Sequence, residues 1–283
     1  MTSASSVILL TLAASLVAVT LCWAYGLRHE GDMSLIDGYY GGGSLVHGGL
    51  AFALWHDHTA RGGLIALAAG LWSIGLAQSL ARRWWRSRGE GGDDRYRSAA
   101  ATLNLNGPGF WWKSWCTLVA PQALLIALLN LPLQRAIMTP AHGFAAVDVM
   151  GLILVIVGGG IEVTANRQLE VFKRNPDRPR TMTTGLFGWS RHPNYFGNTV
   201  VYVGFFLEAM RDTTLWWTAI SPLVIIGILR WGFLGMGVRG TDATMLVKRA
   251  DDQEYLAYVA RTPSFIPRPP RRAVLAGAPT TGR

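Results

Sequence analysis

Several stretches of this 283-residue chain combine side chains that could do chemistry. The stretch GLFGWSRHPNYFGN, residues 185–198, sets Arg191, His192, Asn194, Tyr195 and Asn198 around Pro193 and Gly197, directly before an apolar run. Asn194 and Asn198 are four apart and share a helix face. Arg191 and His192 fall at the start of that predicted helix, where backbone N–H groups favour an anion, so the cluster could hold a phosphate group. A basic juxtamembrane turn with aromatic anchors has the same composition. Upstream, Glu162 and Asn166, followed by Gln168 and Lys173, close an apolar run, and the first two again share a face. An acid there either points at a cavity or partner or snorkels to the interface. In GGDDRYR, 91–97, Asp93, Arg95 and Tyr96 offer partners for phosphate or ribose, in what is otherwise an ordinary solvated loop. In MSLIDGYYGGG, 33–43, Asp37 lies near Tyr39 and Tyr40. A hydroxyl beside an acid can give up a proton, and interfacial tyrosines look the same.

Other motifs carry less. His56-Asp57-His58 has metal-ligand residue types but no third partner in sequence, so no metal site is expected. The triple glycine 158–160 lies inside an apolar run without a following Lys or Ser/Thr, which suits close helix packing rather than phosphate binding. No GxSxG, HExxH or Rossmann fingerprint occurs. The two cysteines, Cys22 and Cys116, lie in apolar runs and form neither a disulfide framework nor a zinc pattern.

The elements that must position these residues are membrane helices. Half the residues are hydrophobic and only 15% are charged, against about 25% in soluble domains; mean hydropathy is +0.25. Seven apolar segments approach the length of a span: Ser6–Tyr25, Gly42–Trp55, Gly62–Leu80, Trp112–Leu133, Val147–Val163, Tyr195–Met210 and Leu215–Met236. The net charge of +9 resides in 23 Arg and 3 Lys. Of these, 23 fall on one side of the predicted spans and 3 (Arg61, Arg135, Arg211) on the other. That asymmetry gives an all-α, seven-span bundle with the N-terminus out and the C-terminus in the cytoplasm, and it argues against a nucleic-acid partner. Residues 1–270 form a single integral-membrane domain in the cytoplasmic membrane. The Pro/Gly/Arg-rich tail, 271–283, is expected to be disordered.

The run TTGLFGWSRHPNYFGNTVVYVGFFL, with the upstream NRQLEVFK and the closing EYLAYVARTPSFIP, resembles the steroid 5-alpha-reductase superfamily, nearest to bacterial members of unassigned function. The likeness extends to SLID at 34–37 and to DDRY at 93–96, and so runs through most of the chain. It implies a helical membrane fold with an NADPH pocket open to the cytoplasm. Carried over position by position, it implies that Glu162, Asn166, Lys173, Arg191, His192, Asn194, Tyr195, Asn198 and Arg230, with Arg95 and Tyr96, hold the cofactor. Asn166 and Asn198 stand where the family usually has acids. An amide still donates and accepts hydrogen bonds but lacks the charge. The tyrosine–acid pair of the steroid enzymes has no direct counterpart; Tyr40 with Asp37 is the nearest stand-in.

The implied activity is NADPH-dependent reduction of an activated C=C bond in a lipid-like enone, sterol or isoprenoid, with hydride added at the β carbon. Isoprenylcysteine and phospholipid methyltransferases share the Arg-His-Pro-x-Tyr turn, so S-adenosylmethionine chemistry is a second reading. The acidic pair those enzymes place before the final Tyr is absent, because Asp242 and Glu254 do not form one. A third reading is an inactive protein that keeps the fold.

Overall fold

The computed structural model describes residues 2–30, 32–86, 93–105, 107–232 and 237–269; the tail 271–283, and with it the expectation of disorder there, lies outside the described residues. All regular structure among the described residues is helical. The helices are α1 (Ala4–Glu30), α2 (Ile36–Leu54), α3 (Ala60–Arg86), α4 (Asp94–Thr102), α5 (Phe110–Ser114), α6 (Ala120–Leu129), α7 (Leu131–Met138), α8 (Ala146–Arg174), α9 (Pro193–Ala209), α10 (Ile220–Trp231), α11 (Gly237–Lys248) and α12 (Gln253–Arg261). Five stretches are long and apolar enough to cross a membrane: Ala4–His29, Ala60–Arg86, Phe110–Met138, Ala146–Arg174 and Thr213–Trp231. They are compatible with a multi-pass membrane protein. The other two expected spans are helical as well, but α2 is diluted by glycine and α9 has only 17 residues.

The expected fourth span is not one regular helix. It runs through α5, a π-helical turn at Trp115–Val119, α6 and α7. Pro121 and Pro132 lack the N–H that a continuous helix needs. The wider π turn precedes the first, and the chain breaks at Asn130 before the second. The Asn130 side chain ties that break to α2, donating to Ile126 O at 2.8 Å and accepting from Ser44 Oγ at 2.6 Å.

Close approach of α8 to α9 organises the bundle. A Cβ on Gly197 would stand 2.5 Å from Gly158 O, and one on Gly204 would stand 2.8 Å from Gly151 O. Only glycine lets the two backbones meet there. Of the triple glycine, Gly158 meets α9 and Gly159 meets Trp72, whereas Gly160 faces open space. The core beneath the contact is apolar and includes Leu129, Leu133, Ile137, Val201, Tyr202 and Phe205.

Two polar networks lie inside the bundle. At one end Arg61, counted from sequence as a loop charge, is fully buried. It donates to Asp148 at 2.7 Å, to Ala136 O at 2.7 Å and to Glu208 O at 2.6 Å, tying α3, α7, α8 and α9. Between α1, α2 and α7, buried His47 bonds Ser15 at 2.7 Å and Gln134 at 3.0 Å, and Thr11 donates to Gln134 at 2.9 Å.

Candidate functional site: a polar cavity at the arginine-rich end

The α8–α9 contact sets the inner end of a cavity. Glu162, on α8, and Asn198, one residue past Gly197 on α9, are brought side by side: Asn198 Nδ2 donates to the Glu162 carboxylate at 3.1 Å. Trp72 Nε1 donates to the same carboxylate at 2.8 Å, and Tyr40 OH donates to Asn198 Oδ1 at 3.1 Å. Glu162 therefore does not snorkel. It is 4% exposed and lies well inside the continuous α8, which extends past the predicted span to Arg174. The order Trp72–Glu162–Asn198–Tyr40 fixes the amide: its NH₂ faces the carboxylate, so its oxygen faces the tyrosine.

The stand-in pair Tyr40–Asp37 is corrected by these contacts. Both line the cavity, but the Asp37 carboxylate accepts from Arg83, from Arg95 at 2.7 Å and from Tyr96 OH at 2.8 Å. Asp37 is an anchor for cations, and the hydrogen-bond partner of Tyr40 comes from α9. Asp93 completes the anchor. It caps α4 by accepting from Arg95 N at 2.9 Å and holds the Arg95 guanidinium at 2.8 Å. Burial alone would raise the Asp93 carboxyl, but the hydrogen bonds and charge of Arg95 outweigh it and hold the group at about 2. Burial and the neighbouring Asp37 charge push the Tyr96 hydroxyl well above its ordinary range, so it stays a donor.

The RHP turn behaves differently from the expected phosphate cradle. Arg191 directs its guanidinium to Asp242 at 2.6 Å and to the carbonyls of Thr262 and Val259 at 2.8 and 3.0 Å. His192 Nε2 bonds the other Asp242 oxygen at 2.9 Å and stacks on Tyr195. Burial raises the Asp242 carboxyl, and the bonds from His192 and Arg191 more than offset this and lower it. These residues line the cavity, but the donors of Arg191 are already committed to fastening α11 and α12 onto α9. Tyr258 OH, donating to Phe187 O at 2.7 Å, adds a second fastening. Asn194 donates to Asn166 at 3.2 Å, closing the α8–α9 face above Asn198.

The cavity holds about 550 Å³, within the ordinary range of ligand sites. Asp93 is not part of its lining; every residue that the resemblance implies, with Tyr40 and Asp37, lines it except Arg230. The exception is geometric. Ile225, Ile228 and Leu229 of α10 face the cavity, and a helix turns about 100° per residue, which swings Arg230 away. Sequence reasoning missed Arg83, Arg86, Gln122, Glu170, Tyr255 and Tyr258 among the lining. Arg83 and Arg86 were legible as two cations three apart at the end of a span, and Gln122 as a lone amide in an apolar run.

Charge is segregated along the cavity. Its mouth carries Arg83, Arg86 and Lys173, with Arg178 also close to Lys173. Arg83 is drawn to Asp37 and Arg86 to Glu170 at 3.6 Å, whereas Lys173 has no carboxylate partner among the described residues. The inner end carries Tyr40, Glu162 and Asn198 among Leu76, Leu125, Ile225 and Leu229.

The chain is thus an all-helical bundle of membrane-span character, with a polar-mouthed, apolar-walled cavity at one end. Within that class the chain belongs to the family described as protein of unknown function DUF1295, which matches over residues 22–262. The matched stretch includes every residue of the cavity. No curated protein and no solved structure matches the chain.

Proposed function

We propose that this protein is an NADPH-dependent reductase of an activated C=C bond in a lipid-like carbonyl compound. In this reading it crosses the cytoplasmic membrane seven times, N-terminus out, with the cavity open to the cytoplasm. The observation that carries the reading is one cavity that joins a cationic mouth to a half-buried tyrosine held by an amide. The donor set fits a phosphorylated dinucleotide: Arg83, Arg86 and Lys173 suit phosphate, and Asn166, Asn194 and Tyr195 suit ribose and carboxamide groups. NADPH, when bound, supplies a hydride. The chain's own part is to polarise and to protonate. Tyr40 sits among apolar side chains, where a hydrogen bond to a substrate carbonyl is stronger than in water. Asn198, oriented by Glu162 and Trp72, keeps the phenol aimed while the site is empty and receives it again after turnover. Arg95, clamped by Asp37 and Asp93, holds α4 against the mouth rather than reaching for a ligand.

The test is ligand-dependent thermal stability of the purified protein with NADPH, NADH and S-adenosylmethionine in parallel. A ligand that binds only the folded state raises stability by RT ln(1 + [L]/Kd). A shift with NADPH supports the proposal. A shift with S-adenosylmethionine alone replaces it with methyl transfer to a lipid acceptor, and no shift with any of the three favours an inactive protein.

A further inference from the structure

Gln122 is a carboxamide inside an otherwise apolar membrane-span helix, one residue past Pro121 on α6. It lines the cavity, and neither its oxygen nor its nitrogen has a hydrogen-bond partner among the described residues. The other polar side chains of the inner cavity are all paired: Tyr40 with Asn198, Asn198 with Glu162, and Glu162 with Trp72. Gln122 is half-buried, so its amide opens onto the cavity and is free to bond what the cavity holds. The neighbouring positions Ala123, Leu124 and Leu125 show that an apolar residue fits this helix.

The depth of Gln122 follows from two contacts. A Cβ on Gly43 would meet Ile126, and Ser44 donates to Asn130, so α2 and α6 run side by side in the same direction. Gln122 stands one turn before Ile126, and Tyr40 stands about one turn before Gly43 and Ser44. The two side chains therefore enter the cavity at similar depth from adjacent helices. The cations of the lining lie on α4, at the mouth ends of α3 and α8, and at the start of α9. A group that reaches Gln122 and Tyr40 meets no positive charge there, which excludes a carboxylate or phosphate and favours a neutral oxygen.

We infer that Gln122 is a substrate-selecting residue, whose amide N–H donates to the carbonyl oxygen of a neutral, apolar substrate at the level of Tyr40. The inference rests on the proposed reductase reading and narrows it to uncharged ketone-type lipids. Once an apolar substrate fills the cavity and displaces its water, an analogue lacking the oxygen leaves the amide unpaired and binds less well.

The experiment measures binding of cholest-4-en-3-one and of its oxygen-free analogue cholest-4-ene by quenching of tryptophan fluorescence. It compares wild type, Gln122→Met and Gln122→Asn, with NADPH affinity determined on each. The expected result is a ketone preference in wild type that falls about tenfold in Gln122→Met, is partly kept in Gln122→Asn, and leaves NADPH affinity unchanged. An undiminished preference in Gln122→Met overturns the inference, as does a wild type without any preference or binding. In those cases retained NADPH binding leaves the reductase reading standing, and its absence removes both. Should Gln122→Met fail to fold, Gln122→Asn decides, because its amide stops one methylene short; an unchanged ketone preference there also overturns the inference.

Discussion

Lys173 gives the sharpest test of the cofactor proposal. Lys173 makes no ion pair among the described residues, and Arg83, Arg86 and Arg178 crowd it with like charge. An anion placed there relieves that repulsion. The 2′-phosphate that distinguishes NADPH from NADH carries close to two negative charges. Lys173 is exposed by surface area, yet burial partly desolvates its ammonium, so the dielectric of water gives a lower bound, and a unit pair about 4 Å apart is worth at least about 1 kcal/mol. Two charges give at least about 2 kcal/mol, or about thirtyfold in Kd. Lys173→Met keeps the aliphatic stem and removes the charge. Titrations of NADPH and NADH followed by nicotinamide fluorescence should show NADPH weakened at least about thirtyfold and NADH nearly unchanged. Equal weakening of both would refute the assignment of Lys173 to the extra phosphate. Arg95 offers the internal contrast: its guanidinium is already bound by Asp37 and Asp93, so Arg95→Ala should lower thermal stability and weaken both cofactors alike.

Three further outcomes are expected. Tyr40→Phe should keep the fold and NADPH affinity but lower turnover of an enone lipid by 10² or more; wild-type turnover in that variant removes Tyr40 from the reaction. Gly197→Ala places a methyl 2.5 Å from Gly158 O and should abolish recovery of folded protein by size-exclusion chromatography, while Gly160→Ala, facing open space, should be recovered like wild type. Asp93 titrates near 3.8 when unfolded and at about 2 when folded, so its contribution is complete above about pH 5 and fades as pH falls toward 2. Asp93→Asn keeps the cap and loses the charge. It should cost about 2 kcal/mol at pH 7, with the gap in unfolding midpoint constant from pH 7 to 5 and narrowing below pH 4.

The sequence was most legible where chemistry depends on spacing within one helix. Apolar run length placed seven helical segments, and the four-residue steps Glu162–Asn166 and Asn194–Asn198 put those side chains on facing surfaces of α8 and α9. Partners far apart in the chain were not legible. Tyr40 pairs with Asn198 rather than with nearby Asp37 because adjacent turns of α2 face different neighbours, a fact of packing and not of periodicity. Arg191 reads as an anion ligand in its motif, yet Asp242, 51 residues on, takes its charge. Arg61 reads as a loop cation because a charge count ignores burial. The break at Asn130 falls before Pro132, which a reading by apolar run length passes over, and an amide tying it to Ser44 on another helix carries no local signature.

The buried Arg61 network bears on traffic through the molecule. Arg61, Asp148 and Glu208, with Ala136 O on α7, stitch four helices together at the end remote from the cavity, and the apolar core lies between. The bundle is thus a well with a floor rather than a conduit. Whatever enters must leave by the entrance it used or slip out between helices into the surrounding lipid. Under the proposed reductase reading, a spent dinucleotide would block the mouth for its replacement, so oxidised cofactor is expected to compete directly with reduced.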